Sequence, residues 1–168
     1  MILDGKQVQK ELIEELKKER ENFDRLRLVA FLIGEDKEKE SFLKIKEKIA
    51  KELNVEFRIY KVEENISRKK LRKYISQIIK SDLVNGAIIQ LPLPEKFKTQ
   101  YFLNSIPPEK DVDCLSSRSL GKFYTDNWII RPPAVEVVDY IKNKFKLGFE
   151  NKLVCVVGYG KLTGKPLV

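Results

Sequence analysis

Histidine is absent from the 168 residues, which excludes every mechanism built on an imidazole: Ser-His-Asp hydrolysis, Cys-His proteolysis and the usual zinc hydrolases. A general base must then be Lys, Asp, Glu or Tyr. Cysteine is nearly absent too, with only Cys114 and Cys155. They are not at CxxC spacing, so neither a metal site nor a disulfide framework is expected, and the two thiols suit a reducing compartment. Long apolar runs are also lacking: Leu153 to Gly158 is far too short to cross a bilayer. The opening residues show no signal-peptide pattern. A cytoplasmic protein with no membrane partner and no bound metal is expected.

What is present argues for a folded domain. Hydrophobic residues make up 42% of the chain, enough for a core and too many for disorder. Lys and Arg number 33 against 25 Asp and Glu, a formal charge of +8. The lysines are interleaved with acids, as in Lys37-Glu38-Lys39-Glu40, which is the pattern of solvated helix faces. No nucleic-acid motif accompanies them. A basic surface does raise the local concentration of a polyanionic small molecule.

Along the chain, helical and strand patterns alternate. Val8, Leu12, Ile13 and Leu16 recur at helical spacing. Leu28 to Ile33 is a continuous apolar run closed by Gly34, as in a strand buried on both faces. Phe42, Ile45, Ile49 and Leu53 predict the inner face of a second helix ending near Asn54, and Val55 to Tyr60 alternates like a strand. Ser67 caps a third helix with Leu71, Tyr74, Ile75, Ile78 and Ile79 inside, and Val84 to Gln90 is a strand stopped by Leu91-Pro92-Leu93-Pro94. Strands separated by helices of this length imply an α/β fold with a parallel sheet. Residues 105 to 133 are expected to be irregular. A helix through Ala134, Val137, Val138, Ile141 and Phe145 would connect two lobes, and Leu153 to Val157 predicts a buried strand entering Gly158-Tyr159-Gly160-Lys161-Leu162-Thr163-Gly164. Strand, glycine turn and helix start form the opening of a nucleotide-binding βαβ unit. Such a unit needs more residues than follow Gly164, so the chain is expected to be the front of a longer protein or a relative lacking most of its cofactor domain.

Four segments can carry chemistry. Phe42 and Lys46 are one helical turn apart, so a ring face and an ammonium share a side; from spacing alone, the plainer alternative of Phe42 in the core with Lys46 snorkelling at its edge is favoured. Gln90 ends a strand, where ligands bind in open parallel sheets, and equally serves as a polar strand cap. Asp111 and Asp113 alternate in an extended segment, which suits Mg²⁺, two N–H donors of a heterocycle, or plain solvation. The spacing Gly158-x-Gly160-x-x-x-Gly164 is one residue longer than the dinucleotide fingerprint.

Together these segments resemble the bifunctional methylenetetrahydrofolate dehydrogenase/methenyltetrahydrofolate cyclohydrolase family. Ile2-Leu3-Asp4-Gly5-Lys6 is similar to its opening. Its Ser-x-x-Tyr-x-x-x-Lys stretch falls on Lys39 to Lys46, with the lysine kept and the tyrosine replaced by Phe42. Gln90-Leu91-Pro92-Leu93-Pro94 matches without change, and Pro108-Glu109-Lys110-Asp111-Val112-Asp113 is close to its Pro-x-Lys-Asp-Val-Asp-Gly. Departures follow. Cys114 stands for glycine, Leu115-Ser116 for Phe-His, Ser119 for asparagine, and Arg131 to Glu136 for a Pro-Cys-Thr-Pro type segment. Tyr159-Gly160 stands where the family has the Arg-Ser pair that helps hold the NADP 2′-phosphate.

The resemblance implies a folate-binding catalytic domain over residues 1–146, a parallel sheet with flanking helices, followed at 147–168 by the first strand and glycine turn of an incomplete Rossmann-type NAD(P)-binding domain. It implies oxidation of 5,10-methylenetetrahydrofolate with NADP or NAD and hydrolysis of the methenyl product to 10-formyltetrahydrofolate. Lys46, Gln90 and Asp113 would be catalytic, and Phe42, Leu91, Pro92 and Asp113 would contact the folate. Gly158, Tyr159, Gly160, Lys161 and Gly164 would hold the cofactor, and a full-length form would be open to homodimerisation. The competing expectation is a truncated or degenerate relative that binds folate weakly or serves as a non-catalytic assembly module.

Overall fold

The computed structural model describes residues 3–168; Ile2 of the opening motif lies outside the described residues. The chain divides into two compact units, one ending at Phe97 and one spanning Lys98–Val168.

The first unit is built on a three-stranded parallel sheet in the order β2-β1-β3. Helix α1 (Gly5–Arg20) starts where the Asp4 carboxylate accepts the Lys6 N–H at 2.9 Å, offsetting the unpaired donors of the first turn. Strand β1 (Arg27–Ile33) is central, and Val29, Ala30 and Phe31 are wholly buried, as a continuous apolar run between two neighbours requires. Strand β2 (Glu56–Val62) is an edge and keeps partial exposure. Strand β3 (Gly86–Ile89) is buried throughout. In register, Ala30 sits opposite Ile59 on one side and Ile88 on the other. Helix α2 (Lys37–Glu52) is capped by Asp36 and leaves through Asn54 at φ +52°, a left-handed residue at the expected position. Helix α3 (Arg68–Ile79), capped by Ser67, buries Leu71, Ile75 and Ile79. Tyr74 meets Phe31 and Tyr60 edge-on, with centroids 6.5 and 6.2 Å away.

Three arginines converge on Glu56 at the start of β2. Arg25 and Arg27 reach its Oε2 at 2.8 and 2.9 Å, and Arg58 its Oε1 at 2.5 Å. The Arg25 hydrogen bond, followed by those of Arg27 and Arg58, holds the carboxyl down at about 2 instead of 4.5. A depressed acid stabilises the fold above its unfolded value and loses that contribution as pH falls through its folded value. Stability is therefore expected to fall between pH 4.5 and about 2, and Glu56→Gln is expected to flatten that part of a denaturation-midpoint profile. An unchanged acid limb in the variant would show that the cluster is inert.

The second unit contains α4 (Thr99–Leu103), a 3₁₀ turn (Pro108–Lys110), α5 (Ser117–Tyr124), α6 (Pro133–Lys144) and α7 (Gly164–Leu167). Phe102, Leu103, Ile106 and Cys114 form its buried centre. Two expectations change here. The stretch from 105 to 133 is not irregular throughout, because the Ser116 hydroxyl caps α5 by accepting the Ser119 N–H. Leu153 to Val157 is neither strand nor buried: it has no regular structure, and Leu153 and Val157 are open to solvent. A parallel strand takes its hydrogen bonds from neighbours, and the described residues of this unit include no other strand. Helix α6 forms as expected, although every residue in it retains exposure.

Candidate functional site

Helix α2 carries the first pair of residues, and its inner face is not the one expected. Lys39, Leu43 and Ala50 are buried, with Lys46 half-buried on the same stripe. Steps of four, three and four place these residues in one row. Phe42 and Ile45, expected inside, are 53% and 57% exposed. The reason is visible in Lys39. Its ammonium pairs with the Asp36 carboxylate at 3.1 Å, so its aliphatic stem lies in the interior without stranding a charge. The alternative that places Phe42 in the core therefore does not hold: Phe42 offers an open ring one helical turn before Lys46.

Gln90 follows β3 directly. Its N–H donates to the Phe31 carbonyl at 2.9 Å, fixing it to the central strand, and its Nε2 donates to the Leu91 carbonyl at 3.1 Å. Its Oε1 is buried with no hydrogen-bond partner. Such an oxygen favours an incoming N–H or ammonium, because an unmet buried acceptor costs about 1–3 kcal/mol. The segment beyond turns through a cis Leu91–Pro92 peptide, with Pro92 exposed while Leu93 and Phe97 point inward. Gly34, at φ +77°, closes the end of β1, where a Cβ would lie 3.4 Å from Glu64 Oε2 and 3.7 Å from Pro94. A cavity of about 640 Å³ opens beside this glycine, lined by Asp36, Glu40, Lys61 and Glu63 among others. Neither Lys46 nor Gln90 lines it.

In the second unit the two acids of the Asp-Val-Asp segment part company. Asp113 is half-buried, but Asp111 is 1% exposed. Asp111 accepts the Leu115 N–H at 3.2 Å on Oδ1, and on Oδ2 the Ser116 N–H at 2.8 Å and the Ser119 hydroxyl at 2.6 Å. The expectation that both acids face one ligand is thus corrected, since Asp111 is consumed by its own loop. Among the described residues no group of three His, Cys, Asp or Glu is arranged to hold a metal ion. Sequence reading had assigned no role to Asp111, Ser116 and Ser119 as a set, although the Ser-x-x-Ser spacing before α5 is a capping signal.

Cys114 adopts φ +52°, the conformation that suits the glycine expected there and costs a side chain about 1 kcal/mol. Burial first, and the neighbouring Asp111 charge second, push its thiol up to about 11. Only Cys155, which is exposed, is therefore expected to react with a maleimide at pH 7.5 in the native chain. Mass spectrometry should show one adduct before unfolding and two after. Rapid native labelling of Cys114 would contradict the burial.

The glycine turn closes on itself. The Lys165 N–H donates to the Gly160 carbonyl at 3.0 Å, and a Cβ on Gly164 would overlap the Gly158 carbonyl. Gly158, at φ +99°, and Gly160 have open space where a Cβ would stand, so a ligand's backbone could approach there. Tyr159 and Lys161 are exposed on this turn. Open space at two turn glycines is what close approach of a phosphate group requires.

Residues 3–113 match the model of the family described as tetrahydrofolate dehydrogenase/cyclohydrolase, catalytic domain. The chain is 34% identical over 170 residues to the Bifunctional protein FolD of Thermodesulfovibrio yellowstonii, covering 99% of this chain and 59% of that protein. It is 32% identical over 142 residues to the protein of the same name from Clostridium perfringens strain SM101, covering 84% and 51%. Among solved structures, the bifunctional FolD methylenetetrahydrofolate dehydrogenase/cyclohydrolase of Campylobacter jejuni superposes with a TM-score of 0.93 at 26% identity, over 99% of this chain and 61% of that one. The Trypanosoma brucei enzyme, complexed with NADP cofactor and inhibitor, gives 0.85 at 26%, over 99% and 59%. The chain thus spans less than two thirds of the length of these relatives.

Proposed function

The chain belongs to the tetrahydrofolate dehydrogenase/cyclohydrolase family, and from that premise we propose that it acts in one-carbon folate metabolism, on 5,10-methylenetetrahydrofolate and its methenyl product. The observation that carries this reading is on α2: Lys46 lies on the inner stripe while Phe42 leaves its ring open one turn away. The Phe42 ring stacks on the pterin. Lys46 handles the proton as water adds to the methenyl carbon and the ring opens to the 10-formyl product. The partnerless Gln90 Oε1 orients that ammonium, with Leu91 and Pro92 as contacts beside it. Asp113 accepts from the pterin amide and amine, a pair of parallel donors that a carboxylate matches. NAD(P)⁺, when bound at the glycine turn, supplies the hydride acceptor for the oxidation step. The basic surface, +8 overall, fits a substrate bearing glutamate carboxylates.

Residues 1–146 form the folate domain in this reading, and 147–168 open the cofactor domain, through which a full-length form would dimerise. No helix among the described residues is long and apolar enough to cross a membrane. A second reading, a folate-binding module without turnover, draws on Leu153 and Val157, which stand open to solvent.

The test is spectrophotometric hydrolysis of 5,10-methenyltetrahydrofolate by this chain, corrected for the buffer rate. Turnover above buffer is expected, and Phe42→Tyr, which adds one neutral hydrogen bond, should raise kcat/KM about fivefold. Saturable folate binding with no turnover would favour the second reading, and no binding would remove both.

A further inference from the structure

We propose that the Asp36–Lys39 pair positions the site: it sets the rotation of α2 about its own axis, and so turns Lys46 inward while leaving the Phe42 ring open. The part played by Lys46 and Phe42 rests on the folate reading, whereas the rotation itself does not. Helix α2 has two rows that could face the interior. One is Phe42, Ile45, Ile49 and Leu53, all large and apolar; the other is Lys39, Leu43, Lys46 and Ala50, in which only Leu43 is. At about 100° per residue the rows lie roughly a quarter turn apart. Burial of apolar area alone selects the first row. The second is the one that turns inward, with Lys39, Leu43 and Ala50 buried while Phe42 and Ile45 stay open to solvent.

The contacts of Asp36 hold α2 against its own hydropathy. Its Oδ1 accepts the Glu38 and Lys39 N–H groups at 3.0 and 3.1 Å, which fixes where the helix starts. Its Oδ2 pairs with the Lys39 ammonium at 3.1 Å. One carboxylate thus holds both the backbone and the side-chain tip of residue 39, and the stem between them is drawn inside. Lys46 follows seven residues later, about two turns along the same row. A local rule broken here is what a functional constraint leaves behind, because the disfavoured rotation is the one that turns an ammonium inward beside an open ring. Lys39 stands at the serine of the resembled Ser-x-x-Tyr-x-x-x-Lys stretch. Serine has no stem to bury and no charge to pair, so the device is tied to this departure.

Maleimide labelling of introduced cysteines reads the rotation without substrate. In a Cys155→Ser background, Ile45→Cys should label rapidly and Ala50→Cys slowly. Lys39→Glu keeps helix propensity but sets an acid beside Asp36, where it cannot be buried. Added to each probe, it should slow the Ile45→Cys thiol at least tenfold and speed the Ala50→Cys thiol as much. In methenyltetrahydrofolate hydrolysis it should lower kcat about tenfold or more and also raise KM, since ammonium and ring both move. Lys39→Met, which keeps the buried stem and drops the charge, should return labelling and both constants to within threefold of wild type. Unchanged labelling with Lys39→Glu, or a Lys39→Met chain that behaves like Lys39→Glu, would overturn the proposal. Reversed labelling with kcat and KM intact would overturn the positioning role. If Lys39→Glu does not fold, Asp36→Asn, which keeps an oxygen for the cap but strands the ammonium, takes its place with the same expected shifts. Reversed labelling with no turnover in wild type removes the folate reading alone, and wild-type turnover with unchanged labelling removes this proposal alone.

Discussion

Lys46→Met is expected to lower methenyltetrahydrofolate hydrolysis by about 10²–10⁴-fold, the range for losing a positioned acid or base. Methionine keeps a straight apolar stem on the stripe that buries Leu43 and Ala50, so the helix should survive and the loss should appear in kcat. Lys46→Arg separates two roles. If the ammonium only supplies charge, arginine should restore most of the rate, whereas if it exchanges protons, a guanidinium that stays protonated should not. A Met variant within threefold of wild type, with unchanged circular dichroism, would remove Lys46 from the chemistry.

Asp111→Ala is expected to destabilise the second unit by about 3 kcal/mol. The substitution strands the Leu115 and Ser116 N–H groups and the Ser119 hydroxyl in a buried place, and each stranded donor costs about 1–3 kcal/mol. The Ser116 and Ser119 hydroxyls already lie 2.8 Å apart, so they re-pair and keep the total below the simple sum. Asp111→Asn retains an acceptor oxygen and should lose about half as much. Trp128 is the chain's single tryptophan and lies in this unit, so urea denaturation followed by its emission reads the effect directly. A midpoint unchanged in the alanine variant would mean that the loop does not depend on its carboxylate. Because Asp113 is two residues away, weaker ligand binding should accompany the instability.

Much of this was legible before any coordinates. The β1 run Leu28 to Ile33 is apolar at every position, and only a strand with neighbours on both sides uses such a run. Ser67 announced its helix because a side-chain acceptor before an apolar period meets unpaired N–H groups. Gln90 to Pro94 and Lys110 to Asp113 carried the family motif as they stood. On α2, by contrast, periodicity showed that a stripe existed but chose Phe42 and Ile45 for it, one step away from the true row of Lys39, Leu43, Lys46 and Ala50. Hydropathy counts a lysine as outward, and it cannot see that Asp36 neutralises the Lys39 head while the stem is buried.

The same limit explains the acids and the last apolar run. Alternation put Asp111 and Asp113 on one side of an extended segment, but the 3₁₀ turn ends at Lys110 and Asp111 folds into its own loop. Leu153 to Val157 has the composition of a strand, yet a strand exists only through the ladder it shares. Sequence by itself determined the α/β class, the caps, the motif order and the glycine positions, all of which depend on a residue and its near neighbours. Tertiary structure alone decided which lysines turn inward, which acid is spent on the fold and which apolar run stays bare, because burial depends on what the rest of the chain places opposite each residue.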